Sequence, residues 1–278
     1  MLLWSLILSC AQDPMALALI EEPGAVNVMH AFHSSNLKDW DHKGIIAWGV
    51  ASLGLAIDED QSLLITAIQE VRPPTWLETK TNPPVRGYKY DGTTWEPKSW
   101  RVEDTHTRAY IDPQIFNGQI WYISPTGQSG DPAKKKSLIP IRSSNPGSER
   151  YLGYGLADPS PVIFQNQLHL FATQDMHIIH AKGNPLRGVM THPGKNDIFN
   201  HASVPFALTV DDELWLVAQG NINGRRIPVL AKTQDALHWT RWIPIGDIPK
   251  KIKNCTSPVL GPDPKGGWLL LCIEEKRH

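Results

Sequence analysis

Two aspartates share one local setting. Asp112 stands in Tyr110-Ile-Asp-Pro and Asp158 in Ala157-Asp-Pro, and each opens an apolar run, a polar turn and a second apolar run. A carboxylate held at the start of a strand can take up a proton, orient a proton donor or accept a ligand hydroxyl. Asp before Pro is also a common turn-former whose oxygens accept nearby backbone N–H groups. Arg108, shortly before Asp112, would depress that carboxyl's pKa if the two paired. What the pair does depends on whether the unit recurs and on what its other copies carry.

The unit does recur. Ala51–Ile68, Tyr110–Ser124, Ala157–Thr173, Ala202–Gln219 and Cys255–Ile273 each read as a hairpin turning at a cluster of polar, Gly or Pro residues. A second element alternates with them: Met29–Trp40, Tyr88–Trp95, Ile139–Gly147, Ile178–Leu186 and Val229–Trp239, an apolar strand, a small polar turn and often a Trp. The spacing of roughly 45 to 60 residues falls in the range of propeller blades. The chain begins with an outer element and ends with an inner hairpin, so a circular array closes by pairing the N-terminal strands with the C-terminal hairpin. Closure leaves only short, protected sheet edges. The expected fold is all-β: a single five-bladed propeller over residues 25–278, preceded by a segment and linker over 1–24.

Composition agrees with that class. The chain has 278 residues, 41% of them apolar, with 11 Trp, 23 Pro and 21 Gly, and no long stretch keeps helical periodicity. A net charge of −1 argues against a nucleic-acid partner. Eleven His include His177 and His180, but three residues apart in a strand they face opposite ways, and no zinc-type spacing is present. No phosphate-binding Gly-rich loop or nucleophile elbow occurs, so no cofactor or metal is expected.

The first residues, MLLWSLILSCAQDP, form an apolar run too short to cross a bilayer. Ile7-Leu8-Ser9-Cys10 resembles the lipobox of bacterial lipoproteins, which would make Cys10 a lipidation site and the protein exported, held to a membrane only by that anchor. No Lys or Arg precedes the run, and a buried strand or helix is the other reading. Cys255 and Cys272 lie symmetrically about a turn; they read either as a disulfide suited to an exported protein or as two buried thiols.

Ala157-Asp158-Pro159-Ser160-Pro161-Val162 resembles the blade-opening motif of the family-43 glycoside hydrolases and their relatives, the arabinanase, xylosidase, invertase and levansucrase group. Ser35–Trp40 and Thr233–Trp239 resemble the Ser-x-Asp-Leu-x-x-Trp turn common there. The resemblance implies a funnel whose mouth holds three carboxylates: a base, an acid, and one that orients the acid. Asp158 matches the orienting residue best. The first hairpin offers Ala51-Ser52 where the base would stand, the fourth Ala202-Ser203 where the acid would, and the fifth Cys255-Thr256.

Three readings follow. A propeller lacking the full acid/base set binds a glycan in its funnel, with Ser52, Ser203 and Arg108 lining the site and Trp faces stacking on sugar. Alternatively, an active glycosidase uses relocated groups: Asp112 as base, Asp158 as orienter and His201 as acid, a role its pKa near 6.5 suits. In the third, Asp112 and Asp158 only cap turns in a cell-envelope interaction protein.

Overall fold

The computed structural model describes residues 27–69, 85–100, 111–116, 119–123, 138–143, 150–154, 156–174, 177–183, 190–191, 202–246, 248 and 252–275. Among them the chain is all-β with almost no helix, and its strands assort into five four-stranded sheets in a propeller arrangement. Strands β1 (Asn27–Ser34) and β2 (Asp41–Trp48) complete the sheet begun by β19 (Thr256–Pro262) and β20 (Trp268–Glu275). The next is β3 (Val50–Ile57), β4 (Leu63–Gln69), β5 (Val85–Tyr90) and β6 (Trp95–Trp100), followed by β7 (Ile111–Phe116), β8 (Gln119–Ile123), β9 (Leu138–Ser143) and β10 (Arg150–Tyr154). Then come β11 (Leu156–Phe164), β12 (Gln167–Gln174), β13 (His177–Gly183) and β14 (Met190–Thr191). The last is β15 (Ala202–Val210), β16 (Glu213–Ile222), β17 (Arg225–Thr233) and β18 (Ile243–Pro244). Side chains are described in four of the sheets; for β7–β10 only the backbone pairing is.

The innermost strands neighbour one another in the order β3, β7, β11, β15, β19 and back to β3. Strand β1 runs antiparallel to β20 without a break in register, from Asn27 opposite Glu275 to Ser34 opposite Trp268.

Position within a sheet explains the sequence pattern. Second strands are covered on both faces by neighbouring sheets, so they read as continuous apolar runs rather than alternating ones. Leu269 to Ile273 and Leu214 to Ala218 are buried throughout. Outer strands meet solvent: Asp41 and His42 are exposed, as is Ile243. One apolar cluster joins β1, β19 and β20 to β3, β4 and the β15–β17 sheet, and a second joins β11–β13 to β15–β17. Gly261 shows how close the sheets come: a Cβ there would lie 2.9 Å from Leu55 Cδ2. Trp215 stacks on Trp268 of the neighbouring sheet at 4.8 Å between centroids, with the Lys232 ammonium 3.6 Å from the Trp215 ring.

The outer-strand turns repeat one local solution. Asn36, Asp91 and Asp235 each stand four residues before a Trp. Oδ1 of each accepts the backbone N–H groups two and three residues on, at 2.9 and 2.9, 2.7 and 2.7, and 2.8 and 2.7 Å respectively. The residue between is left-handed in all three: Leu37 at φ 62°, Gly92 at φ 91° and Ala236 at φ 60°. The side chain thus supplies the acceptor that a strand partner would otherwise provide. Trp40 and Trp95 are then driven into the core. With Trp215 they serve packing between sheets, which takes these three away from the sugar-stacking role expected of the tryptophans.

Cys255 and Cys272, both buried, are joined by a disulfide with 5.1 Å between Cα atoms, which settles the alternative of two free thiols. Cys272 is on β20 and Cys255 directly precedes β19, the innermost pair of the shared sheet.

Candidate functional site

The start of every inner strand carries the same irregularity. Ala51 pairs with Ile68 and Leu53 with Ala67, so one residue, Ser52, is extra on the inner strand. The same one-residue excess lies between Ile111 and Gln114, Ala157 and Ser160, Ser203 and Phe206, and Thr256 and Val259. A bulge bends its strand and re-aims a side chain. In four of these bulges the residue at the turn is left-handed although it is not glycine: Ser52 at φ 54°, Asp158 at φ 52°, Val204 at φ 52° and Ser257 at φ 45°. Such backbone is uncommon for any L residue and strained for a β-branched one.

Burial marks out the same residues. Ser52, Val204 and Ser257 are partly exposed beside the buried Leu53, Pro205 and Pro258, and Asp158 is partly exposed before the buried Pro159. Ser203 and Thr256, one residue earlier, are buried at 4% and 7% exposure. This corrects the positions read from sequence. The residues that correspond to Asp158 are Ser52, Val204 and Ser257, not Ser203 or Thr256, because the bulge moves the accessible side chain one place along the chain.

Neighbouring sheets fix this rim. Thr173 Oγ1 accepts the Val204 N–H at 2.8 Å, and Ser160 Oγ accepts the Ala207 N–H at 2.8 Å. Both bonds tie the β11–β14 sheet to the β15–β18 sheet. Five bulged starts therefore present Ser52, the Asp112-Pro113 pair, Asp158, Val204 and Ser257 in equivalent places, and two of the five carry a carboxylate. Asp112 is placed on β7 by its backbone; its side chain is outside the described set. Arg108, His201 and Cys10 also lie outside the described residues.

Four of the described histidines pair with one another across adjacent strands. His169 Nδ1 lies 2.8 Å from His180 Nε2 in a buried pair, with Phe171 stacked 4.4 Å from His180. His30 Nδ1 and His42 Nε2 make a second, partly buried pair at 2.9 Å. Burial, with the Lys182 charge adding to it, pushes the His169 pKa down to about 4. No cluster of three or more His, Cys, Asp or Glu suited to a metal ion occurs among the described residues. His180 has its ring partner, His169, on the adjacent strand β12.

Solved structures resemble this arrangement. The chain matches a thermostable family-43 glycoside hydrolase with a TM-score of 0.52 and 11% identity, covering 81% of this chain and 89% of that one. It matches an α-L-arabinanase mutant of Cellvibrio cellulosa with a TM-score of 0.53 and 13% identity, covering 82% and 87%. The fold is thus that of the propeller glycoside hydrolases. No family profile matches the sequence, and no curated protein does either.

Proposed function

We propose that this protein is an exported five-bladed propeller, closed by the β1–β20 pairing, that binds a glycan at the mouth where its inner strands begin and does not cleave it. The observation that carries the reading is the make-up of the bulged starts. Hydrolysis of a glycosidic bond needs one carboxyl to protonate the leaving oxygen and a second group to activate water or attack. Asp112 and Asp158 occupy neighbouring strands, while Ser52, Val204 and Ser257 stand at the other three starts. Val204 has no proton to give. Serine hydroxyls and one or two carboxylates suit sugar hydroxyls as hydrogen-bond partners. The buried disulfide supports export, since such bonds persist in oxidising compartments. Cys10 is the proposed anchor to a membrane, and uptake of labelled palmitate by the mature protein tests it.

Binding and turnover separate the readings. A glycan array together with arabinan, xylan and aryl-glycoside substrates should give binding without product, and Asp158→Asn should weaken that binding. Released sugar that disappears in Asp112→Asn, Asp158→Asn and His201→Ala would establish the active glycosidase. Neither binding nor release would leave the envelope-interaction role.

A further inference from the structure

Away from the bulged starts, the hairpin turns of two adjacent sheets enclose a cleft of about 580 Å³. Its walls come from β1 and β2, from the turn after β5, and from the β19–β20 turn, with His33, Lys43, Tyr90, Thr93, Asp263 and Lys265 facing it. Ser34 lies opposite Trp268 and Tyr90 opposite Leu63, which puts these turns at the end of their sheets remote from the inner-strand starts.

The walls are held by local hydrogen bonds. Asp263 N–H donates to Gly267 O at 3.0 Å, Gly266 N–H to Asp263 O at 2.8 Å, and Asp263 Oδ1 takes the Lys265 N–H at 2.9 Å. His33 Nε2 donates to Gly266 O at 3.0 Å, joining β1 to that turn. Gly267, at φ 82°, has no room for a Cβ, which would lie 2.5 Å from the Ser34 backbone oxygen. Across the cleft, Tyr90 is buried and stacked on Trp95 at 4.4 Å.

The charges are the informative part. Lys89 is held by Asp58 and Asp60, and Arg226 by Glu275. Among the described residues Lys43 and Lys265 have no such partner, yet both border the cleft that contains the buried carboxylate of Asp263. Two uncommitted ammonium groups call for an anionic guest. A compact inorganic anion would also meet the Asp263 carboxylate at close range. A guest with its charge at one end and hydroxyls at the other satisfies both, the hydroxyls donating to Asp263 and meeting the Thr93 hydroxyl.

We propose that this cleft is a second carbohydrate site, selective for a sugar that carries a carboxylate. Its volume falls in the usual range for a small-ligand pocket. It does not rest on the glycan reading of the mouth.

Calorimetric titration of the full chain with glucuronic acid, an oligogalacturonide, the matching neutral oligosaccharide and inorganic sulfate tests it. The acidic sugars should bind, the neutral one at least about tenfold more weakly, and the double variant Lys43→Gln/Lys265→Gln should lose roughly tenfold with its Tm kept. A preference for the oligomer over the monosaccharide would identify an acidic polysaccharide as the source. Asp158→Asn should leave this binding unchanged, so failure at the mouth and failure here are distinguishable. Equal binding of the neutral sugar by the Asp158→Asn variant, equal binding of sulfate, or an unaltered double variant would each overturn the proposal.

Discussion

At the residue scale, a side chain's meaning is set by backbone that its neighbours impose. Val204 keeps a left-handed φ of 52° although valine is among the residues that tolerate it least. Its N–H is held by Thr173, and its strand pairing resumes only at Phe206. Val204→Gly removes the clash between Cβ and backbone, so the folded state should gain about 1 kcal/mol and Tm should rise slightly; a fall of several degrees in a melting scan would mean that the valine side chain is needed for packing. His169 gives a second residue-level expectation. Its folded pKa of about 4 lies below the unfolded value near 6.5, so its contribution is intact above pH 6.5 and is lost as pH falls toward 4. The full loss is roughly 3 kcal/mol. Melting temperature followed from pH 7 to 4 should decline, and His169→Gln should flatten the slope. Sequence identified Asp158 and Ser52 at their strand starts but placed the counterparts in the fourth and fifth hairpins one residue early, at Ser203 and Thr256 instead of Val204 and Ser257, because a bulge leaves no mark in hydrophobic pattern where the next residue is also apolar or small.

At the element scale, the described turns at Asn36, Asp91 and Asp235 are self-contained units. Asn36 Oδ1 accepts two backbone N–H groups, so Asn36→Ala strands two donors and should cost about 1–2 kcal/mol, read as a lower denaturant midpoint; Asn36→Asp should retain most of it. Asp91 and Asp235 do the same work as carboxylates. Backbone N–H groups depress Asp91, and the His238 side chain followed by backbone N–H groups depresses Asp235. Both contribute stability above the unfolded pKa near 3.9 and lose it as pH falls through their folded values. Asp91→Asn/Asp235→Asn should therefore shrink the drop in Tm below about pH 4. These turns were legible from their Ser/Thr, Asx and Trp spacing because the determining contacts are local. The His169–His180 and His30–His42 pairs were not, since register across strands, not distance along the chain, brings them together.

At the scale of the molecule, the sheets hold by burial against one another, and one is built from strands at both ends of the described chain. The Cys255–Cys272 bond closes a loop with a sequence separation of 17, for which unfolded-state entropy gives about 3 kcal/mol. Replacing both with Ser should lower Tm by several degrees, and reductant should lower the wild type but not that variant. The alternation of inner hairpins with outer elements announced this architecture because each unit repeats the same pattern. The cleft between turns had no such signature: Lys43, Thr93 and Lys265 are far apart in sequence and meet only once the sheets are side by side.

The pairing of Ser34 with Trp268 also sets a timetable. At a ribosomal pace of roughly 5–20 residues per second, β1 emerges tens of seconds or less before the partner that will cover it. During that wait its edge offers unpaired N–H and C=O groups to any passing strand. A nascent chain cut short before β20 never gains its cover, and such products stay visible to chaperones and proteases.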